Sequence, residues 1–180
     1  VYKRQPKNVT HPSTRVQKET RYRWIGRDSR GGIKKKGQKG QKGHAWSDVE
    51  IDDALKHISG FKGCFSKDQI PTLQNNAFYI INLQSSNEGS RTGTHWCVLA
   101  NFKDYAMWYD SMALGEPTQV KDAIGQKKLY INHIKHQMTS SVHCGPYCVL
   151  FVKYMSKGSN KILRFKDFIH NIFTDNEQNN

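Results

Sequence analysis

Residues 96–110 read WCVLANFKDYAMWYD. Two apolar runs, Trp96–Phe102 and Ala106–Tyr109, are split by the short polar link Lys103-Asp104-Tyr105. Runs of this length, rich in aromatic and apolar residues and joined so closely, predict an antiparallel hairpin. Upstream, Ala77–Leu83 (AFYIINL) is a third run of strand type, and Leu129–Ile131 downstream is a fourth candidate. Helical patterns lie on both sides of these strands. Ser47-Asp48-Val49-Glu50 forms a capping box, with Trp46 and Ile51 at staple positions and Ile51, Leu55 and Ile58 at helical spacing. A helix over 47–58 is predicted, with Gly60 placed to stop it. Val120–Ile124 is a candidate short helix, and Lys166–Phe173 a final one. Cys144–Met155 (CGPYCVLFVKYM) is apolar enough all round to be a buried helix. Strands in the middle with helices before and after predict an α+β domain.

Charge divides the chain in two. Residues 1–43 hold 14 Lys and Arg against two acids, a net of +12 out of the +13 for all 180 residues. The stretch Gly31–Gly43 (GGIKKKGQKGQKG) cannot bury apolar surface and reads as a flexible basic linker. Residues 1–43 are therefore expected to be a basic arm, and 44–175 the folded domain. Lys34, Lys35, Lys36, Lys39 and Lys42 are the candidate contacts to a polyanion such as DNA, because clustered lysines release counterions from phosphates. No apolar run approaches the length of a membrane span, and no secretory leader is visible. An intracellular setting is expected. It agrees with four cysteines, Cys64, Cys97, Cys144 and Cys148, whose spacing fits neither a zinc ribbon nor a disulfide scaffold. No metal site is expected.

One of these cysteines stands at a chemically special place. Cys144 opens the buried helix, where unpaired N–H groups and the helix dipole favour a thiolate and can also hold an oxyanion. A lone cysteine there is most often a small packing residue; its neighbours alter that balance. Gly145 would let a substrate backbone approach, and Pro146 suits a first helical turn. His95 stands where the Gly- and Ser-containing loop 85–94 enters the strand at Trp96, so its ring can face a cleft. Asp110 ends the second strand of the hairpin, which brings it beside the start of the first and so beside His95. A carboxylate there fixes the ring tautomer and stabilises the imidazolium. Gln137, seven residues before Cys144, offers an amide donor for an oxyanion. His143 is a rival base, but a side chain adjacent to the nucleophile usually points away from it. Cys64, Cys97 and Cys148 are assigned to packing.

The order His95-Trp96, Asp110, Gln137, Cys144-Gly145 resembles the adenovirus-type cysteine protease family and the wider clan that includes SUMO-deconjugating proteases. Trp46–Pro71 and Phe78–Leu83 are similar to adenovirus-like proteases of large DNA viruses, virophages and Polinton-type elements. The resemblance spans about residues 46–156. It implies a mixed central β-sheet flanked by helices, with the catalytic cysteine at the N-terminus of a buried central helix. It also implies a triad of Cys144, His95 and Asp110 with Gln137 as oxyanion donor; Trp96, His143 and Gly145 are expected to line the cleft. Two positions depart from the pattern: adenovirus enzymes carry Glu where this chain has Asp110, and His143 is not typical before the nucleophile. The implied activity is processing of viral capsid and core precursors at Gly-containing sites, in the virion or at the site of assembly. The enzyme would be a monomer needing no cofactor, with stimulation by DNA or a viral peptide. Alternatives are an isopeptidase for ubiquitin-like modifiers, an acyltransferase of the same clan, and a non-catalytic nucleic-acid-binding protein.

Overall fold

The computed structural model describes residues 44–88 and 95–171. The basic arm with its five candidate lysines, the Gly93-Thr94 approach to His95 and the last two residues of the helix expected over 166–173 lie outside the described residues. The elements run α1 (Asp48–Leu55), β1 (Phe61–Ser66), β2 (Ala77–Asn82), β3 (Trp96–Asn101), β4 (Tyr105–Tyr109), α2 (Thr118–Ile124), β5 (Lys128–Ile131), α3 (Cys144–Met155) and α4 (Lys161–Asn171). The five strands form one sheet in the order β1-β2-β3-β4-β5. The outer pairs β1/β2 and β4/β5 are parallel, and β2/β3 and β3/β4 are antiparallel. The fold is thus α+β, a mixed sheet flanked by helices.

Every residue of β2 and β3 is buried. That is why these strands read as unbroken apolar runs rather than alternating ones. One face carries Phe78, Ile80, Trp96, Val98, Ala100, Met107 and Tyr109, packed with Ile51 and Leu55 of α1, Cys148, Phe151, Val152 and Met155 of α3, and Phe165 and Phe168 of α4. The Tyr109 ring stacks on Phe151 at 4.6 Å between centroids, and Phe168 meets both rings edge-on. The other face carries Tyr79, Ile81, Cys97, Leu99 and Trp108, covered by Val120 and Ile124 of α2 with Ile70 and Leu73. Burying each large apolar side chain contributes about 1.5–3 kcal/mol. The β3/β4 hairpin is therefore packed on both faces, and the candidate site sits at its end.

Local chemistry sets the element ends. The Ser47/Glu50 capping box starts α1, with both reciprocal hydrogen bonds made. The helix stops at Leu55, sooner than expected, and Gly60 is not its stop signal. Gly60 instead takes φ +90° in the turn into β1, where an added Cβ would lie 2.5 Å from the Asn76 carbonyl oxygen. Strand β1 is a short edge element that the sequence reading did not propose. Gly63 sits at φ +117° within a register shift between Phe61 and Cys64, and this interruption hides the strand pattern. Helix α4 begins five residues earlier than expected, because Asn160 caps it by accepting the Leu163 N–H at 3.0 Å.

Candidate active site

At one end of the hairpin, the start of β3 and the end of β4 meet the N-terminus of α3. Pairing of Val98 with Tyr109 sets the register, so His95 and Asp110, just beyond the two strands, fall side by side. His95 Nε2 lies 2.5 Å from Asp110 Oδ1. Asp110 is fully buried, and its carboxylate also accepts the Met112 N–H at Oδ1 (2.8 Å) and the Leu114 N–H at Oδ2 (2.7 Å). These donors and the imidazolium hold the Asp110 pKa below its ordinary value, against the upward pull of burial. With Nε2 committed to the carboxylate, Nδ1 is the ring nitrogen left to serve the thiol.

Cys144 is the first residue of α3 and almost entirely buried. Burial pushes its thiol pKa up. A hydrogen bond and charge attraction from His95, with the Trp96 and Gly145 backbone N–H groups, outweigh that and leave it lowered. For His95 burial acts downward, while bonds to Asp110 and Cys144 and their charges act upward, raising the ring pKa to about 9. A thiol held down beside an imidazole held up favours transfer of the thiol proton to the ring. The other three cysteines behave oppositely. Burial pushes Cys64, Cys97 and Cys148 up, and neighbouring acids and thiols push them the same way.

The remaining sequence candidates fall around this centre. Gln137 is buried, and its amide orientation is fixed by its partners. Ser111 Oγ donates to Oε1 at 2.6 Å, and Nε2 donates to the Ser141 carbonyl at 2.8 Å. A carbonyl only accepts, so Nε2 must face Ser141. An amide nitrogen carries two hydrogens, of which Ser141 takes one. Trp96 is packed rather than open: its indole N–H donates to the Trp46 carbonyl at 2.9 Å, and its own carbonyl accepts the Cys148 S–H at 3.2 Å. Gly145 has a reason to be glycine that the sequence reading did not contain. An added Cβ would lie 2.7 Å from Trp46 Cβ and 3.3 Å from Ile51 Cδ1, so close packing of α3 on the start of α1 requires it. His143 is exposed and sets its Nδ1 3.1 Å from Ser141 Oγ.

Ser111 was missed by sequence reasoning. Its hydroxyl orients Gln137, and its carbonyl accepts the His136 and Gln137 N–H groups at 2.8 and 2.9 Å, tying the loop after β4 to the loop before α3. A serine in Asp110-Ser111-Met112 gives no signal of this; it depends on a partner 26 residues away.

One set of groups offers metal-ligand chemistry. Ligand atoms of His95, Cys97 and Asp110 lie within 4.8 Å of one another. Two ligands on one tetrahedral zinc sit about 3.3 Å apart. The 2.5 Å between Nε2 and Oδ1 is instead hydrogen-bond geometry, and the Asp110 oxygens already carry backbone donors. These residues fit a proton-sharing pair better than a cation cage.

No protein-family model matches the chain, and no curated protein does. Among solved structures it is similar to the ASFV pS273R protease, with 17% identity and a TM-score of 0.49 over 73% of this chain and 63% of that one. A selenomethionine crystal structure of that protease gives 15% identity and a TM-score of 0.44, over 73% and 64% of the two chains. The chain thus spans less than two thirds of the length of these neighbours. Identity this low leaves function to be read from the side chains themselves. No helix among the described residues is long and apolar enough to cross a membrane.

Proposed function

We propose that this domain is a cysteine peptidase with Cys144 as nucleophile. One observation carries the reading: the Cys144 thiol, at the first residue of a buried helix, is hydrogen-bonded to a histidine whose other ring nitrogen lies 2.5 Å from the carboxylate of the fully buried Asp110. In the proposed reaction the Cys144 thiolate attacks a peptide carbonyl. The Cys144 backbone N–H, at the open end of α3, and the Gln137 side-chain N–H take the charge that develops on oxygen. The His95 imidazolium gives its proton to the leaving amine, and Asp110 holds the ring during the transfer. His95, now neutral, then takes a proton from water, whose oxygen displaces the thiolate and frees the acid product. Protein groups supply every step, so the reaction needs no cofactor.

The finer reading follows the sequence resemblance. The substrates would be structural precursor proteins of a virus, cut beside glycine by a monomeric enzyme, in the virion or at its site of assembly in the cell. The basic arm would bring the enzyme to DNA, and DNA or a viral peptide would stimulate it. The decisive experiment combines a thiol-reactive acyl probe at neutral pH, mapped to the modified cysteine, with cleavage of Gly-containing peptides and ubiquitin-like conjugates. Selective labelling of Cys144 with peptide cleavage is the expected result. Labelling spread over the four cysteines, with no cleavage, would overturn the assignment. Preference for conjugates would move the enzyme to isopeptidase chemistry.

A further inference from the structure

The Asp110 side chain is held by His95 and two backbone N–H groups, but something must also hold the Asp110 backbone. Strand β4 pairs in parallel with β5 only as far as Trp108 and Ile131. Beyond that point the β5 backbone no longer offers ladder partners to Asp110. Asn132, the first residue after β5 and almost fully buried, replaces them with its side chain. Its Oδ1 accepts the Asp110 N–H at 2.8 Å, and its Nδ2 donates to the Asp110 carbonyl at 2.7 Å. Nδ2 also donates to the Ile134 carbonyl at 3.1 Å. The amide orientation is forced, since an N–H only donates and the two carbonyls only accept. One primary amide thus grips both polar groups of the Asp110 peptide backbone, as a neighbouring strand would.

We propose that Asn132 is the positioning residue of this site: it clamps the Asp110 backbone, so that the carboxylate meets His95 Nε2 and presents the ring to Cys144. The inference rests on the peptidase reading above. A tilt of the Asp110 peptide plane would swing the carboxylate off a bond only 2.5 Å long, and a small misplacement in a reacting assembly is costly. The simpler alternative is that Asn132 only satisfies buried backbone groups, as buried amides commonly do. The two differ in whether the effect of Asn132 passes through the Asp110 carboxylate.

The test is a double-mutant cycle in the full chain. Cys144 alkylation by iodoacetamide is followed across a pH series in the wild type, Asn132→Ala, Asp110→Asn and the double variant. Asn132→Leu serves as a second probe that keeps the volume and loses both the acceptor and the donor without adding a charge, in case the alanine variant fails to fold. Each Asn132 variant is expected to slow alkylation at neutral pH roughly tenfold and to move the acidic limb of the profile upward. In the Asp110→Asn background the same change should alter the rate by less than about twofold. A wild-type profile in the variants, or an equal penalty with and without the Asp110 carboxylate, would assign Asn132 to packing alone. A wild-type Cys144 no faster than a free cysteine would instead sink the peptidase reading. The clamp would then be read by NMR titration of the His95 ring, whose midpoint falls in Asn132→Ala if the clamp holds Asp110 and stays put if it does not.

Discussion

The first and second turns of α3 each carry a cysteine, four residues apart in the same helix, and their thiol pKa values are pushed in opposite directions. Cys148 points into the core, donates to the Trp96 carbonyl and has burial as its largest influence, so it stays protonated. Cys144 is nearly as buried, yet its pKa falls, because it touches His95 and the N–H groups at the open end of the helix. Burial does not separate the two. What separates them is the set of donors around Cys144: the His95 ring and the Trp96 and Gly145 backbone N–H groups.

The sharpest way to break this comparison is to remove each sulfur in turn. Cys144→Ala should cost about 10⁴-fold or more in peptide cleavage, with the thermal melt little changed. Cys148→Ala should leave cleavage within a few-fold and lower stability by about 1–2 kcal/mol, in a denaturant titration, through the small cavity it opens. A Cys148→Ala variant as inactive as Cys144→Ala would end the distinction between the two turns.

The next test removes the donor. His95→Ala should lower kcat by about 10²–10⁴-fold and slow Cys144 alkylation at neutral pH toward that of an ordinary thiol. Asp110→Asn should act in the same direction and less strongly, read as the midpoint of the His95 ring titration moving down from about 9.

The pH dependence follows from the same pair. Cleavage should rise as pH passes the lowered Cys144 value and fall as His95 loses its proton near pH 9. Stability has its own signs. The folded His95 pKa is raised, so its contribution is complete below about 6.5, the ordinary value, and is lost as pH rises through about 9. The folded Asp110 pKa is lowered, so its contribution is present above the ordinary carboxylate range and is lost as pH falls through the folded value. Thermal melts across a pH series check both. His95→Gln should flatten the alkaline decline.

The last test concerns how the first turn is seated. Gly145→Ala presses a methyl against Trp46 and should cost about 1–3 kcal/mol in a denaturant titration. If cleavage falls further than stability predicts, the seating of the first turn also tunes the thiol.

The site and the fold were legible to different degrees. The hairpin, the buried helix α3 and the α1 capping box lie in contiguous stretches whose local pattern carries the information, and their ends fell within a few residues of expectation. Strand β1 was not legible. One extra residue and a left-handed glycine break its period, and its pairing with β2 is a long-range fact. Helix α4 was misplaced because its start depends on one asparagine side chain, which resembles any loop asparagine until the helix has formed.

By itself the sequence determined which side chains were chemically able to form a site, and that some stood at element ends: a cysteine before a buried run, a histidine before a strand, an aspartate after one. Each of these is a local property of the chain. The tertiary structure alone decided the rest. It brought Nε2 against a carboxylate with no exposure, made Gly145 a packing residue under Trp46, turned Gln137 by means of Ser111 and set Asn132 across the Asp110 peptide. The physical reason is that a pKa or a clamp depends on groups within a few ångströms. In this fold the deciding pairs Asp110–His95, Asp110–Asn132, Gln137–Ser111 and Cys144–His95 are separated by 15, 22, 26 and 49 positions along the chain, and no local pattern records which of them will meet.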